Sequence, residues 1–517
     1  MDFNREAGVI FSLTNQGSLF YIDFKKFSRI IGLVKLKKFI FIVSVIFLIR
    51  GLYLTRYVNA GKFIFVPGFS IYEIYDDNIF FLEEDRIDDL ITVVSPSFVS
   101  SYETKKVKVS ATYMSGFEFY SKYPELNTTM NQNASLRLNI TPTKRITLDI
   151  IDNMSYYAAE YGRGYGAWGG GLGYFGYYGR YRRTEYLELP REERIRTYLD
   201  MLTYPTDYWS NSADATLHYR VSSSIDTYAG YFNRFYKYHE RERRPSPYAL
   251  ENSWEQGGRT GIDYRTSPRN TFNLEYEYRR FSYTREIDTE IHTATMGWRH
   301  EVSPTLFWEI SAGPLFISWG DGNGDETNWH ASAEISKSFK RIDIGLGYTR
   351  DVSTYGGMGG TGIYQTWWGD ITSRITPHFT ASLTGNYSRQ KPTAEGEGDY
   401  YQKMHYYTVG LDLTYLFTPR LIGFSSYFYT HQYLEITKEN LDYHQAMLAL
   451  SYSFTRWLSG HLQYIYSNFS YPLFYNATEE DISVYDNRVM LGLSLTWPWA
   501  KVPIRPPSPP LTQGVGR

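Results

Sequence analysis

The stretch Tyr415–Thr430, YLFTPRLIGFSSYFYT, decides the fold. Two aromatic-rich apolar runs meet at Thr418-Pro419-Arg420. Proline has no N–H to give to a β-ladder and is not accommodated inside a central strand. It does preset φ for the second position of a tight turn, and a Ser or Thr before it can hydrogen-bond the turn backbone. The stretch therefore reads as the end of one strand, a turn, and the start of the next. The residues before it agree. TVGLDLTYLF places Val409, Leu411, Leu413, Tyr415 and Phe417 on one face, the period of two that marks a strand with one apolar side.

The same grammar recurs along the chain. ITPTKRITLDI begins at Ile140, RTSPRNTFNLEY at Arg265, EVSPTLFWEIS at Glu301 and RITPHFTASLTG at Arg374, while RVSSSIDTYAG, SFKRIDIGLG and SFTRWLSGHLQ are variants without proline. The markers Pro268, Pro304, Arg341, Pro377, Pro419 and Arg456 stand 36, 37, 36, 42 and 37 residues apart. Each unit holds a short turn, a strand, a longer polar loop such as GDGNGDET or KPTAEGEGD, and a returning strand. Counted from Val66 to Trp497 this predicts about 20 strands (18–20) of roughly a dozen residues in ten hairpins, the length of a tilted membrane-spanning strand. A propeller blade would need four shorter strands per repeat. Ser95-Pro96 and Gly313-Pro314 fall inside proposed strands and are expected to be bulges.

Face chemistry points to a membrane. TFNLEYEYR puts Phe272, Leu274, Tyr276 and Tyr278 opposite Asn273, Glu275, Glu277 and Arg279. Trp308 and Trp457 follow short turns, and Trp319 and Trp329 flank a long loop, as two interfacial aromatic girdles require. Lipid offers no water to an open sheet edge, so such a sheet must close. The expected fold is all-β: a transmembrane antiparallel up-and-down β-barrel in the bacterial outer membrane.

Composition fits. The 517 residues include 50 Tyr, 31 Phe and 12 Trp, and the formal net charge is -2. That balance lacks the basic excess of nucleic-acid binders, so no nucleic-acid partner is expected. The absence of cysteine excludes a lipoprotein anchor, disulfides and thiolate metal sites. Lys35, Lys37 and Lys38 precede an apolar core from Phe39 to Ile49, and Val58-Asn59-Ala60 follows with small residues. This reads as a secretory signal peptide cleaved near Ala60/Gly61, too short in its core to span a bilayer. Residues 1–60 are then an N-terminal extension and signal, with a translation start near Leu33 or Val34 expected. The barrel occupies 61–497, and 498–517 form a Pro-rich tail expected to be disordered.

The last strand, VMLGLSLTW, carries Gly492, Leu495 and Trp497 and resembles the C-terminal signal read by the barrel-assembly machinery of Gram-negative bacteria, although the chain continues past Trp497. The mature start, VPGFSIYEIYDDNIFFLEEDRIDDLITVVSPSFVSSYET, resembles the opening of the outer-membrane β-barrel porin family of type 2. YDDNIF (Tyr75–Phe80) and DLITVVSPSFVSSYE (Asp89–Glu103) carry that resemblance. Relatives in that family accompany exopolysaccharide and protein-sorting systems. The resemblance implies an outer-membrane barrel and no particular substrate. Expected partners are outer-membrane lipid and lipopolysaccharide, the barrel-assembly machinery and polysaccharide-export components.

Candidate functional residues fall into two groups. The polar faces carry Lys106, Lys108, Arg137, Asp149, Asp263 and Arg265, then Glu275, Glu277, Arg279, Glu334, Asp343 and Asp412. These would form a mixed-charge lining that sets selectivity, or a salt-bridge lattice that stiffens the wall. The longest loop, 160–207, holds YGRGYGAWGGGLGYFGYYGRYRR. Its Tyr161, Arg163, Tyr165, Trp168 and Tyr174, with Tyr177, Tyr178, Arg180, Arg182 and Arg183, would line a constriction or remain a surface loop. LPREERIRTYLDML, further along it, has the spacing of a short amphipathic helix. DGNGDE (Asp321–Glu326) alternates oxygen ligands, but Glu326 and Ser332 stand where a calcium loop needs Gly and Glu, so it reads as a hairpin loop. The ten His are scattered, with no HExxH or GxSxG. No cofactor or catalytic site is expected. The leading function is porin-like passage of polar solutes or saccharides. A non-conducting scaffold for exopolysaccharide export or adhesion, and an outer-membrane hydrolase, are the other readings.

Overall fold

A computed structural model describes residues 62–79, 86–124, 130–157, 208–238, 252–284, 288–320, 325–354, 361–392, 403–435, 438–472 and 481–497. The signal segment, every named residue of the 160–207 loop and the Pro-rich tail lie outside these. The described residues form twenty strands: β1 (Lys62–Asp76), β2 (Asp89–Glu103), β3 (Val107–Tyr120), β4 (Met130–Thr143), β5 (Ile146–Tyr157), β6 (Tyr208–Arg220), β7 (Ile225–Tyr238), β8 (Ser253–Ser267), β9 (Asn270–Tyr283) and β10 (Thr289–Ser303). There follow β11 (Leu306–Trp319), β12 (Asp325–Ser338), β13 (Ile342–Thr354), β14 (Thr361–Arg374), β15 (Phe379–Pro392), β16 (Met404–Thr418), β17 (Leu421–Leu434), β18 (Glu439–Ser453), β19 (Leu458–Pro472) and β20 (Asp481–Thr496). Each pairs antiparallel with the next, and β1 pairs with β20, closing one 20-stranded barrel.

The short turns are built as their sequences require. Thr418 Oγ1 accepts from the backbone N–H of Arg420 at 3.2 Å and of Leu421 at 3.0 Å. Thr104, Thr143, Ser222 and Thr455 do the same for the two turn amides that follow them. The hydroxyl thus satisfies N–H groups the ladder has released. The register shifts between Leu416 and Thr418, leaving Phe417 as an extra residue beside the turn. Similar shifts stand next to the turns after β4, β8 and β10. The expected bulges at Ser95-Pro96 and Gly313-Pro314 are absent. Pro96 faces Phe69 and Pro314 faces Trp329 in unshifted register. On the other side the β2–β3 and β10–β11 ladders skip two pairs and resume in step, because proline removes a donor without adding a residue.

The outer face is apolar in a belt. Leu274, Met296, Leu346, Leu448 and Leu491 stand 54–64% exposed, which a water-facing surface would not tolerate as a continuous band. Along β16 the outward residues run Phe417, Tyr415, Leu413, Leu411, Val409, Tyr407, His405. From Tyr415 to Tyr407 is roughly 20 Å of height at ~3.3 Å per residue and ~40° tilt, close to the hydrocarbon thickness of an outer membrane. Aromatic pairs mark both rims. Near the short turns Trp298 meets Trp308 edge-on at 4.4 Å, and Trp457 lies 6.1 Å from Trp497. Near the long loops Trp367, Tyr387 and Tyr407 stack in sequence at 5.4 and 4.7 Å. Trp329 is outward and half exposed, but Trp319 is not a girdle residue. It packs against the inner cluster of Phe281, Ile291, Leu315 and Ile317, because its partner Thr289 and the pair Ile291–Ile317 share the inner face.

Candidate functional site

The inner face is chemically lopsided. Strands β4 to β13 carry most of its charge. Arg259 Nη2 lies 2.8 Å from Asp214, Arg234 3.0 Å from Glu255 and Arg299 3.3 Å from Glu309. Asp226 holds both Arg220, at 3.1 Å, and Arg265. Neutral links thread the same sector. The Tyr228 hydroxyl donates to Glu275 at 2.5 Å, Asn273 Nδ2 to Asp263 at 2.7 Å and Asn139 Nδ2 to Asp149 at 2.5 Å. The opposite sector is lined by small or uncharged polar groups, among them Ser388, Gln390, Thr408, Gln463, Ser494 and Ser70, all buried.

Eleven of the twelve residues named from the sequence alternate onto the inner face. Lys108 pairs with Glu103 at 3.1 Å at the turn end of the wall. Arg137, Asp149, Asp263, Arg265, Glu275, Glu277 and Arg279 stand on the charged sector, with Glu334 opposite Glu309. Asp343 and Asp412 face Thr372 and Ser382 respectively. Lys106 lies in the turn between β2 and β3 instead. The run KKVKV continues the alternation past the strand's end, which pattern alone does not reveal. Asp214, Asp226, Arg234, Glu255, Arg259 and Asp351 join the same inner face without a clear sequence signal. They sit in runs such as NSADATLHYR, whose weak apolar face hides the period.

The inner face is also not uniformly polar. Toward the long loops it carries two apolar clusters. One gathers Tyr72, Ile74, Ile91, Val93, Tyr120 and Met490 around the β1–β20 seam. Tyr72 lies flat on Gly492, where any Cβ would overlap its ring, and its hydroxyl meets Ser494 at 3.1 Å. Gly492, Leu495 and Trp497 thus divide between faces: Gly492 is inward beneath Tyr72, while Leu495 and Trp497 are outward and exposed. Above this cluster the Tyr75–Asn78 motif clasps the last strand. Asp77 accepts from the backbone and side-chain nitrogens of Asn487, each at 2.7 Å, and Asn78 Nδ2 donates to the Tyr485 carbonyl at 3.0 Å. Carboxylates of Asp76, Asp77 and Asp486 come together here. Arg488 sits between Asp76, at 3.1 Å, and Asp486, so the cation this grouping calls for is already a guanidinium.

The second cluster has an unusual composition. Phe281, Ile291, Leu315 and Ile317 are inner-face residues of β9–β11, yet Val352 and Ile363 belong to it as well. By alternation Val352 and Ile363 share the side of β13 and β14 that bears the outward Leu346 and Trp367. The β12–β13 ladder stops at Ala331–Arg350, leaving Asp325–His330 of β12 and Asp351–Thr354 of β13 without each other. The upper end of β13 therefore leaves β12 and passes inside the wall together with β14, whose ladder to β15 runs unbroken up to Gly362–Pro392. The outer flank of the hairpin is pressed on the inner flank of β9–β11. Arg279, 6% exposed, fastens it. Its two terminal nitrogens donate to the Asp351 carboxylate at 2.6 and 3.1 Å, and one also to the Val352 carbonyl at 2.9 Å. Glu277 lies 3.0 Å from the same guanidinium and His330 3.5 Å from Asp351. On the vacated edge of β12, Arg350 donates to the Trp329 carbonyl and to Asn328, and the Asn328 side chain accepts from the Trp329 N–H.

Outside the spanning segments, charge gathers at the loop ends. His405 Nε2 and Glu435 meet at 2.7 Å, with Lys403 and Arg389 within 4 Å of the same carboxylate. The His405 hydrogen bond, helped by those cations, holds the Glu435 carboxyl below its usual range. Asp88 is lowered likewise by its hydrogen bond from Lys122, whose own amine is raised. Ser459 Oγ and His461 Nε2 are 3.2 Å apart inside the barrel, and among the described residues the other ring nitrogen of His461 has no hydrogen-bond partner.

A closed, even-numbered antiparallel barrel with an apolar outer belt between two aromatic rims defines the class: the chain is a bacterial outer-membrane β-barrel protein. No family model matches it, and no curated protein matches it. Solved structures similar to it include the siderophore receptor PirA from Acinetobacter baumannii, 8% identical over 84% of this chain and 80% of that one, with a TM-score of 0.49. A mutant ferric enterobactin receptor PfeA from Pseudomonas aeruginosa, in complex with enterobactin, is 11% identical over 84% and 81%, with a TM-score of 0.46. The FrpB iron transporter from Neisseria meningitidis is 8% identical over 83% and 81%, with a TM-score of 0.49. At that identity and overlap the likeness assigns this chain no ligand.

Proposed function

We propose that the barrel passes polar solutes, saccharides among them, across the outer membrane. The observation that carries this reading is the lattice of opposed charges and amides on β4–β13, facing a neutral Ser/Thr/Gln sector. Fixed charges of both signs, with side chains such as Arg265 and Glu309 about half exposed, suit hydrated, hydroxyl-rich solutes, since they replace water's hydrogen bonds at little cost. The inward hairpin end at Asp351–Val352 and the 160–207 loop would set the width. The resemblance of Tyr75–Phe80 and Asp89–Glu103 to type 2 porins implies an outer-membrane barrel and leaves the solute open.

The test is single-channel recording in planar bilayers, on full-length protein and on protein lacking 163–203. Solute-dependent conductance supports passage. Conductance from the deletion alone makes the loop a plug. Silence from both forms overturns the reading in favour of a non-conducting scaffold.

A further inference from the structure

We infer that the seat beneath the β13–β14 hairpin is a binding site for an amphipathic carboxylate, and that the hairpin occupies it as an internal stand-in. The seat is the inner face of β9–β11: Phe281, Ile291, Leu315 and Ile317, each 0% exposed, beside Arg279. Its occupant has two parts. Val352 and Ile363 supply an apolar body, 1% and 6% exposed. Asp351 supplies a carboxylate held by both terminal nitrogens of Arg279. An apolar body next to one carboxylate is the chemistry of a medium-chain acid.

Two further observations give the hairpin somewhere else to go. The β12–β13 register, Ala331 opposite Arg350, extends without a shift to Asp351 opposite His330 and Val352 opposite Trp329. Asp351 and His330 already lie 3.5 Å apart. Along that edge the Arg350 side chain bonds the Trp329 carbonyl and Asn328 where β13 would pair, and it has to be displaced. An incoming carboxylate that takes Arg279 from Asp351, with its chain on Phe281 and Leu315, lets β13, with β14 still paired to β15, zip back onto β12. The fixed apolar cradle and buried guanidinium then keep their partners in kind in both arrangements.

The experiment reads the hairpin, not conduction, so it stands apart from the question of passage. The chain has no cysteine, and Val352→Cys places a single buried thiol in the seat. Folded protein, checked by heat-modifiable mobility, is reconstituted in liposomes and labelled with a maleimide. Labelling is expected to be slow, and about tenfold faster with sodium decanoate below its micellar range. Neutral decyl maltoside should leave the rate unchanged. Adding Asp351→Asn should raise the resting rate and keep the decanoate response at lower concentration. Adding Arg279→Gln should raise the resting rate and abolish the response. Decanoate without effect, decyl maltoside acting equally, or a decanoate response surviving in Arg279→Gln would each overturn the site.

Discussion

Arg279 of β9 and Asp351 of β13 meet at 2.6 Å although β10, β11 and β12 lie between their strands in the wall. Such a pair can form only across the inside of the barrel, and it forms because the β12–β13 ladder has ended one pair below. The pair is buried, so removing one partner strands a charge. Asp351→Asn is expected to cost about 3 kcal/mol locally, at the low end for a broken buried pair because Glu277 still faces the guanidinium. Amide exchange should accelerate at 351–354 and 361–364, by roughly a hundredfold at 1.36 kcal/mol per decade, and stay unchanged on β16–β20. Uniform acceleration around the barrel would mean the contact is not a local latch.

Thr418 supports a smaller prediction. Its hydroxyl accepts from two turn amides, and Thr418→Val removes that acceptor while keeping the volume. The loss is expected to be about 1 kcal/mol, read as a lower urea midpoint. Pro419→Ala should add about 0.5 kcal/mol by freeing the unfolded chain. If Thr418→Val left the midpoint unmoved, water would be capping the turn.

The Thr418 turn also shows what the sequence makes legible. Strand existence, strand number and the short-turn end follow from period two and the Ser/Thr-Pro signals, because those are local. Leu315-Phe316-Ile317 is different: both faces are apolar, and alternation cannot say which side meets lipid. Period two assumes a water-filled inside, so it misses an inner cluster and for the same reason assigns Trp319 to the aromatic girdle. Arg279 and Asp351 are 72 residues apart. Their meeting depends on where a ladder stops, and no local pattern records that. Lys106 departs in the opposite sense, since the alternation continues past the point where the chain turns.

Glu435 carries a pH dependence whose sign can be worked out. Its carboxyl is lowered in the folded protein by His405, Lys403 and Arg389. A depressed carboxylate contributes its stabilisation above its unfolded value, and loses it as pH falls through the folded one. The β17–β18 connection should therefore loosen only in acid, below the ordinary glutamate range, and hold from there upward. Carbon-detected NMR titration of Glu435 should report a midpoint below that of a free glutamate. A Glu435→Gln protein should lack this acid-dependent step in local exchange. A midpoint at or above the free value would remove the basis of the prediction.

Gly492 and Tyr72 couple the last strand to the first. A Cβ at Gly492 would overlap the Tyr72 ring, and that ring is fully buried with its hydroxyl on Ser494. Gly492→Ala must therefore move a tyrosine off the closing seam. The cost is expected to be about 2 kcal/mol, the scale of overpacking a filled site, and should appear as a lower temperature for loss of heat-modifiable mobility. Tyr72→Ala alone will be costly too, because it empties the same seat. The decisive quantity is the coupling between them. In the Tyr72→Ala background the extra methyl has room, so Gly492→Ala should then cost less than about 0.5 kcal/mol. Equal costs in both backgrounds would show that glycine is kept there for another reason, such as reading of the last strand during assembly, and that closure does not depend on the ring.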